Sequence, residues 1–303
     1  MSSVEMNQLR QVMKNMMQQQ GMTMYGGKMD YAVIRQTIER ASAAMPAEPG
    51  VSFTADVLNG IEAELLTPEN PSGESIVLYI HGGGLVSGNV RTSRGFASQL
   101  ASESGLRVYT LSYRLAPEHP YPAANDDCFA VYQALLEKYP RNSISFIGDS
   151  GGAYLSLVTT IRAMEKGLRL PASVTLYSPL VDFTGALAHD RAKFAETDFT
   201  VGPDIDQVIK DLFIRDADVK NPCISPIYAD YKGFPPLKIV ADSGEVLVAD
   251  ADILAETAKK AGVEVEYRKW DETFHAFATT GKGTPESAEV LQETVAFINK
   301  HGY

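Results

Sequence analysis

Ser150 lies in Gly148-Asp149-Ser150-Gly151-Gly152, directly after the apolar run Ile144 to Ile147 and directly before a helical pattern that begins near Gly152. A hydroxyl squeezed into a strand-to-helix turn needs small neighbours, because the backbone there is strained and a side chain at a flanking position would clash. Gly148 and Gly152 supply them. The helix N-terminus behind Ser150 offers backbone N–H groups and a positive dipole end, which favour an alkoxide or a developing oxyanion. The pattern nominates Ser150 as a nucleophile. A capping serine in a Gly-rich turn is the bland alternative, and the strand before and the helix after count against it.

A second element follows the apolar run Ile76 to Ile80: His81-Gly82-Gly83-Gly84. Three consecutive glycines are costly in backbone entropy. They make sense where main-chain N–H groups must approach a reacting oxygen, completing an oxyanion hole with the N–H of the residue after the nucleophile, here Gly151. Losing one such donor costs about 2.7 to 4 kcal/mol of transition-state stabilisation. Gly82, Gly84 and Gly88 do not read as a dinucleotide loop. Their spacing is one residue too long, and the next strand ends Leu111-Ser112-Tyr113 with no acid for a ribose.

A serine needs a base, and the chain has five histidines: His81, His119, His189, His275 and His301. On this kind of turn the partners follow in the order serine, acid, histidine, which removes His81 and His119. His189 lies in an irregular stretch and His301 sits two residues from the end. His275 follows the last strand pattern, at the sheet edge where Ser150 is expected, and is the candidate base. The acid should follow the strand Leu237 to Ala241, where Asp242 and Glu245 are the close candidates and Asp250 and Asp252 stand deeper in the next helix. Either close carboxylate can hold the imidazole in the right tautomer and stabilise its cation.

The elements that must position these groups alternate. Phe53 to Leu58, an Asn59-Gly60 turn and Ile61 to Leu66 read as a hairpin. Apolar runs follow at Ile76 to Ile80, Arg107 to Tyr113, Ile144 to Ile147, Val174 to Tyr177, Leu237 to Ala241 and Val263 to Trp270. Helical patterns lie at Arg94 to Glu103, Ala124 to Tyr139, Gly152 to Lys166, Val248 to Ala261 and Glu286 to Lys300. Short apolar strands interleaved with amphipathic helices indicate an α/β fold with a mostly parallel sheet covered on both faces. Between Ser178 and Pro235 no central strand is evident, and a stretch of that length is expected to be an inserted lid or cap. At the N-terminus, Met6, Leu9, Met13 and Met16 space as an amphipathic helix, and Asp30 is placed to cap a second one carrying Val33, Ile34, Ile38 and Ala41. The methionines there, Met22 and Met24 included, are expected to pack on the main body, with a share in lining a ligand pocket as the sharper reading.

Composition bounds the partners. The 303 residues carry 27 Lys plus Arg against 38 Asp plus Glu, and a net charge of −11 repels phosphate backbones and anionic lipid faces. Nucleic acid is therefore not an expected partner. Cys128 and Cys223 share no metal-ligand spacing and are too few for a disulfide framework, which suits a reducing, cytoplasmic setting. Neither an apolar signal core nor a run of eighteen apolar residues occurs, so no secretion and no membrane span are expected.

The motifs together are similar to those of the hormone-sensitive-lipase family of α/β-hydrolases: His81 to Gly84, Tyr113-Arg114-Leu115-Ala116-Pro117-Glu118-His119-Pro120, Pro122-Ala123, Gly148 to Gly152, and Tyr177-Ser178-Pro179 with Asp182, in the family's order from about Ile76 to Phe297. The resemblance implies the α/β-hydrolase fold, with a central eight-stranded sheet, mostly parallel and flanked by helices, beneath a helical cap. It divides the chain into residues 1–50 as N-terminal cap helices, 51–182 as core, 183–226 as an inserted cap segment and 227–303 as core. It also implies Gly83 and Gly84 as oxyanion donors with Gly151. In that family a Leu two residues after the acid and a gap near 30 residues to the histidine are usual, which selects Glu245 over Asp242. The chain departs from the family at Leu85, where an aromatic is common, at Gly151, where Ala is common, and at Ser112 and Ala249, where acids are common.

The function so implied is a serine carboxylic ester hydrolase acting on short- to medium-chain acyl esters, with no cofactor and no metal, and with a small-molecule ester as partner. Homo-oligomer formation, amidase, lactonase or deacetylase action, and a non-catalytic receptor on the same fold stay open. Gly-Asp-Ser-Gly-Gly also occurs in trypsin-like proteases, but those place His and Asp before the serine on paired β-barrels.

Overall fold

The computed structural model describes residues 2–19, 31–43 and 45–302. Two helices, α1 (Val4–Gln19) and α2 (Tyr31–Ala43), precede the strands β1 (Val51–Leu58), β2 (Ile61–Pro68) and β3 (Ile76–Ile80). Next come α3 (Val90–Ser104), β4 (Arg107–Leu111), α4 (Ala123–Lys138), β5 (Ile144–Asp149), α5 (Gly151–Glu165) and β6 (Val174–Tyr177). The irregular stretch holds two short helices, α6 (Ala188–Arg191) and α7 (Ile205–Ile209), before β7 (Leu237–Asp242), α8 (Val248–Lys260), β8 (Val265–Trp270) and α9 (Pro285–His301). The expected Asp30 cap lies outside the described residues.

The eight strands form one sheet in the order β1-β2-β4-β3-β5-β6-β7-β8. β1 and β2 pair antiparallel, as do β2 and β4, and every other pairing is parallel. Asn59 and Gly60 both take positive φ, 49° and 83°, which suits the twist of a two-residue hairpin. Because strand side chains alternate, β3 sends Ile76, Leu78 and Ile80 to one core and Val77 and Tyr79 to the other. The first core is closed by α4, α5 and α8, the second by α1, α3 and α9. This places the loops that end the parallel strands on one rim, between two covered faces.

Several boundaries differ from the sequence reading, and two of them have a clear local reason. α3 starts at Val90 rather than Arg94, because Asn89 caps it: its side chain accepts from Arg91 and Thr92 N–H while Thr92 Oγ1 accepts from Asn89 N–H. β5 runs past the apolar residues, with Gly148 opposite Leu176 and Asp149 opposite Tyr177.

The stretch after β6 is packed chain: Leu180, Val181, Phe183, Val201, Ile205, Ile209, Phe213, Ile214 and Ile224 are buried in the first core. It is pinned by Arg191, whose fully buried guanidinium bonds Asp250 on α8 through Nε (2.9 Å) and Nη2 (2.8 Å), and Asp182 O at 2.7 Å. Its Nη1 lies 3.4 Å from Asp206 on α7. At the N-terminus Met6 is buried in the second core and Leu9 and Met13 pack against it, while Met16 is exposed. Met22 and Met24 lie outside the described residues. Cys128 and Cys223 are free thiols. Among the described residues no helix is long and apolar enough to cross a membrane.

Candidate active site

Ser150 stands between β5 and α5 at φ 50°, ψ −119°, a conformation an L-residue adopts only under constraint. Its N–H donates to Tyr177 O at 2.8 Å. The flanking glycines permit the turn. A Cβ on Gly148 would stand 2.3 Å from Gly152 O, and one on Gly152 would stand 2.0 Å from Ile80 O. At Gly151 the nearest atom to such a Cβ is Leu85 N at 3.2 Å, so the Ala common at this position elsewhere needs only a small adjustment.

His275 reaches the same rim from the loop after β8. Asp242 holds that loop, its Oδ1 accepting from Thr273 N–H and Thr273 Oγ1, each at 2.9 Å. Ala276 N–H donates to Ser178 Oγ at 2.9 Å. His275 Nδ1 lies 2.6 Å from Glu245 Oε2, and Nε2 lies 2.9 Å from Ser150 Oγ. With Nδ1–H donating to the carboxylate, Nε2 is left to accept the serine proton. The structure thus brings Ser150, Glu245 and His275 into one line. Asp242 bonds Thr273 and Gly244 N–H (3.1 Å), and its own N–H donates to Glu245 Oε1 at 3.1 Å. All three aligned side chains are buried. Burial disfavours the His275 imidazolium, but the Glu245 hydrogen bond and charge, with smaller contributions from Asp198 and Asp149, outweigh it and raise the His275 pKa above its ordinary value.

The glycine loop faces this line. Gly83, Gly84 and Leu85 have φ of 104°, 61° and 64°. The turn is fixed by Gly83 O, which accepts from Val86 N–H, Ser87 N–H and Ser87 Oγ. Among the described residues the N–H groups of Gly83, Gly84 and Gly151 donate to no protein acceptor. His81 supports the loop without reaching Ser150. Its Nδ1–H donates to Gly82 O at 2.8 Å, its ring stacks on Tyr113 at 4.3 Å, and burial pushes its pKa down to about 4, so it stays neutral. Tyr113 in turn donates to His81 O at 2.9 Å, which gives the Tyr113-to-Pro120 stretch a structural part.

Sequence reasoning passed over Asp149. It is buried, and its Oδ1 accepts from both Tyr79 Oη (2.7 Å) and Gly82 N–H (3.0 Å), so it ties the nucleophile turn to the glycine loop. Its place beside the serine was the available signal. Arg35 was also missed: from α2 it donates to Val86 O (2.7 Å) and Ala116 O (3.0 Å) and pairs with Glu118.

An apolar pocket opens beside Ser150, between Tyr154, Leu180 and Leu247 on one side and Val201, Ile205 and Ile209 of the irregular stretch after β6 on the other. It leaves about 10 Å³ for water-sized occupants, roughly one small group. None of its lining comes from the described N-terminal residues, and of the methionines there Met6 and Met13 pack on the second core.

Comparison with known proteins agrees with this architecture. Residues 77–279 match the α/β-hydrolase fold family. An acetyl-hydrolase of Streptomyces hygroscopicus is 32% identical over 237 residues, 78% of this chain and 79% of its own. An esterase of Acinetobacter venetianus is 30% identical over 87% of each chain. A crystal structure of an esterase from the bacterial hormone-sensitive lipase family superposes with a TM-score of 0.90 at 29% identity, covering 99% of both chains. A hormone-sensitive lipase from a metagenome library gives 0.85 at 35% identity over 91% of this chain and 93% of that one.

Proposed function

The chain belongs to the hormone-sensitive-lipase family of α/β-hydrolases and is a hydrolase of the carboxylesterase type, and from that premise we propose that Ser150, His275 and Glu245 form its catalytic triad and cleave small acyl esters through an acyl-enzyme. His275 Nε2 takes the Ser150 proton as Oγ attacks the ester carbonyl carbon. Negative charge builds on the carbonyl oxygen, where Gly83, Gly84 and Gly151 N–H are free to receive it. Glu245 stabilises the imidazolium, which then protonates the leaving alcohol oxygen. A water deprotonated by His275 attacks the acyl-Ser150 carbonyl, releasing the acid and restoring the serine. The observation that carries this reading is the continuous contact from Glu245 through His275 to Ser150, at 2.6 and 2.9 Å.

The pocket fits acyl groups at the short end of the range, acetyl above all, since its free space holds about one small group between branched side chains. Residues 1–50 and 183–226 serve as the cap, the latter supplying Val201, Ile205 and Ile209 to the pocket. The test is Ser150→Ala, which abolishes hydrolysis of aryl acetates while leaving the circular dichroism unchanged; retained activity would refute the assignment. Run on the wild type, an acyl-length series should fall steeply beyond acetate and propionate, and a rise toward octanoate would remove the size argument.

A further inference from the structure

Thr197 and Asp198 belong to the inserted stretch, yet their polar atoms end on the loop that carries Glu245. Thr197 Oγ1 donates to Gly244 O at 2.7 Å, and Asp198 Oδ2 accepts from Val246 N–H at 2.8 Å. The residues on both sides of Glu245 are therefore held from the insert. The second Asp198 oxygen accepts from Thr200 N–H (2.8 Å), Thr200 Oγ1 (2.6 Å) and Val201 N–H (3.1 Å), so the carboxylate is locked on its own side as well. Val201 lines the pocket next to Ser150.

We propose that Thr197 and Asp198 are positioning residues for the Glu245–His275 pair: the insert that roofs the pocket also completes the acid loop, and Asp198 adds its charge to the field that holds the imidazolium. This rests on the ester-hydrolase reading above. The groups acting on His275 are Glu245 from the loop after β7, Asp198 from the insert and Asp149 from the end of β5. Asp242 stands beside Glu245, with Arg10 of α1 as a nearby cation acting on it. Among the carboxylates acting on His275, Asp198 is contributed by the insert, whereas Asp149 ends β5 and Glu245 lies in the loop after β7.

The experiment measures the pH dependence of kcat/KM for p-nitrophenyl acetate, and of the rate at which a fluorophosphonate labels Ser150, in wild type, D198N and T197V. Asn keeps an acceptor for Val246 N–H but turns its NH2 toward the Thr200 and Val201 donors, so it loses the charge and the bonds on its own side; the acid limb in D198N moves to lower pH by about half a unit in both readouts, with KM near the wild-type value. T197V loses the bond to Gly244 O, and kcat falls about fivefold, again at constant KM. A stationary acid limb in D198N, or changes confined to KM in both variants, would overturn the inference. Should D198N fail to fold, T197V decides it: unaltered kcat sinks the proposal. A wild type that hydrolyses the ester and is labelled, while its variants behave identically to it, refutes this inference alone. A wild type that does neither refutes the hydrolase reading and this inference with it.

Discussion

Tyr79 and Asp149 meet across neighbouring parallel strands, and the carboxylate oxygen that accepts from Tyr79 Oη also accepts from Gly82 N–H. The residue before the proposed nucleophile thus fixes the first peptide of the glycine loop, and a Cβ on Gly82 would stand 2.2 Å from the other Asp149 oxygen. This buried side chain bridges the serine turn and the glycine loop, and so helps to set the spacing between the serine and the proposed oxyanion donors.

Asp149→Ala should release the loop and lower kcat by about 10²-fold, comparable to losing one oxyanion donor, while KM changes little. Tyr79→Phe removes one of two bonds to the carboxylate and should cost about 1 kcal/mol of stability in urea denaturation, with a smaller loss of kcat. Steady-state kinetics on both variants check the ranking. A large KM effect with kcat preserved would place Asp149 in substrate binding instead.

The His275 environment gives a signed pH prediction. In the proposed triad the neutral imidazole is the base, and Glu245 holds its pKa above the ordinary value, so kcat/KM should rise with pH through that elevated value. In Glu245→Gln burial acts unopposed by the nearest carboxylate, so the limb shifts to lower pH, and kcat falls on the order of 10³ to 10⁴. Asp242→Asn, which touches Thr273 and Gly244 rather than the imidazole, should lose less than about tenfold. A pH–rate profile of the two variants separates the roles, and the reverse ranking would move the acid to Asp242.

Arg191→Ala should destabilise the fold by about 3 to 5 kcal/mol, because it strands the fully buried Asp250 without its partner. Burial pushes the Asp250 carboxyl up even with the guanidinium present, so in the variant it takes up a proton and recovers part of the loss at lower pH. Chemical denaturation at pH 5 and pH 8 tests this: the destabilisation should be smaller at pH 5.

The sheet was largely legible because its strands are short apolar runs: Ile76 to Ile80 and Val174 to Tyr177 coincide with β3 and β6. Ser150 and His275 could be read from local context, one by its glycines and the other by elimination among five histidines. The choice between Asp242 and Glu245 could not, since both follow the same strand and only tertiary packing turns one toward the imidazole and the other toward Thr273. Thr197, Asp198 and Arg191 were silent for a related reason. Their partners Gly244, Val246 and Asp250 lie far along the chain, and an irregular stretch carries no periodicity to announce which polar residues point inward.

Only a few positions of one short peptide separate Asp198, which grips the loop around Glu245, from Val201 and Ile205, which touch the pocket. On the two proposals above, selectivity and rate are wired through the same stretch of chain. A homologous insert grafted from a relative would carry its acyl preference and its tuning of the base as a single inheritance, and mutational drift toward bulkier esters would have to spare the grip while reshaping the roof.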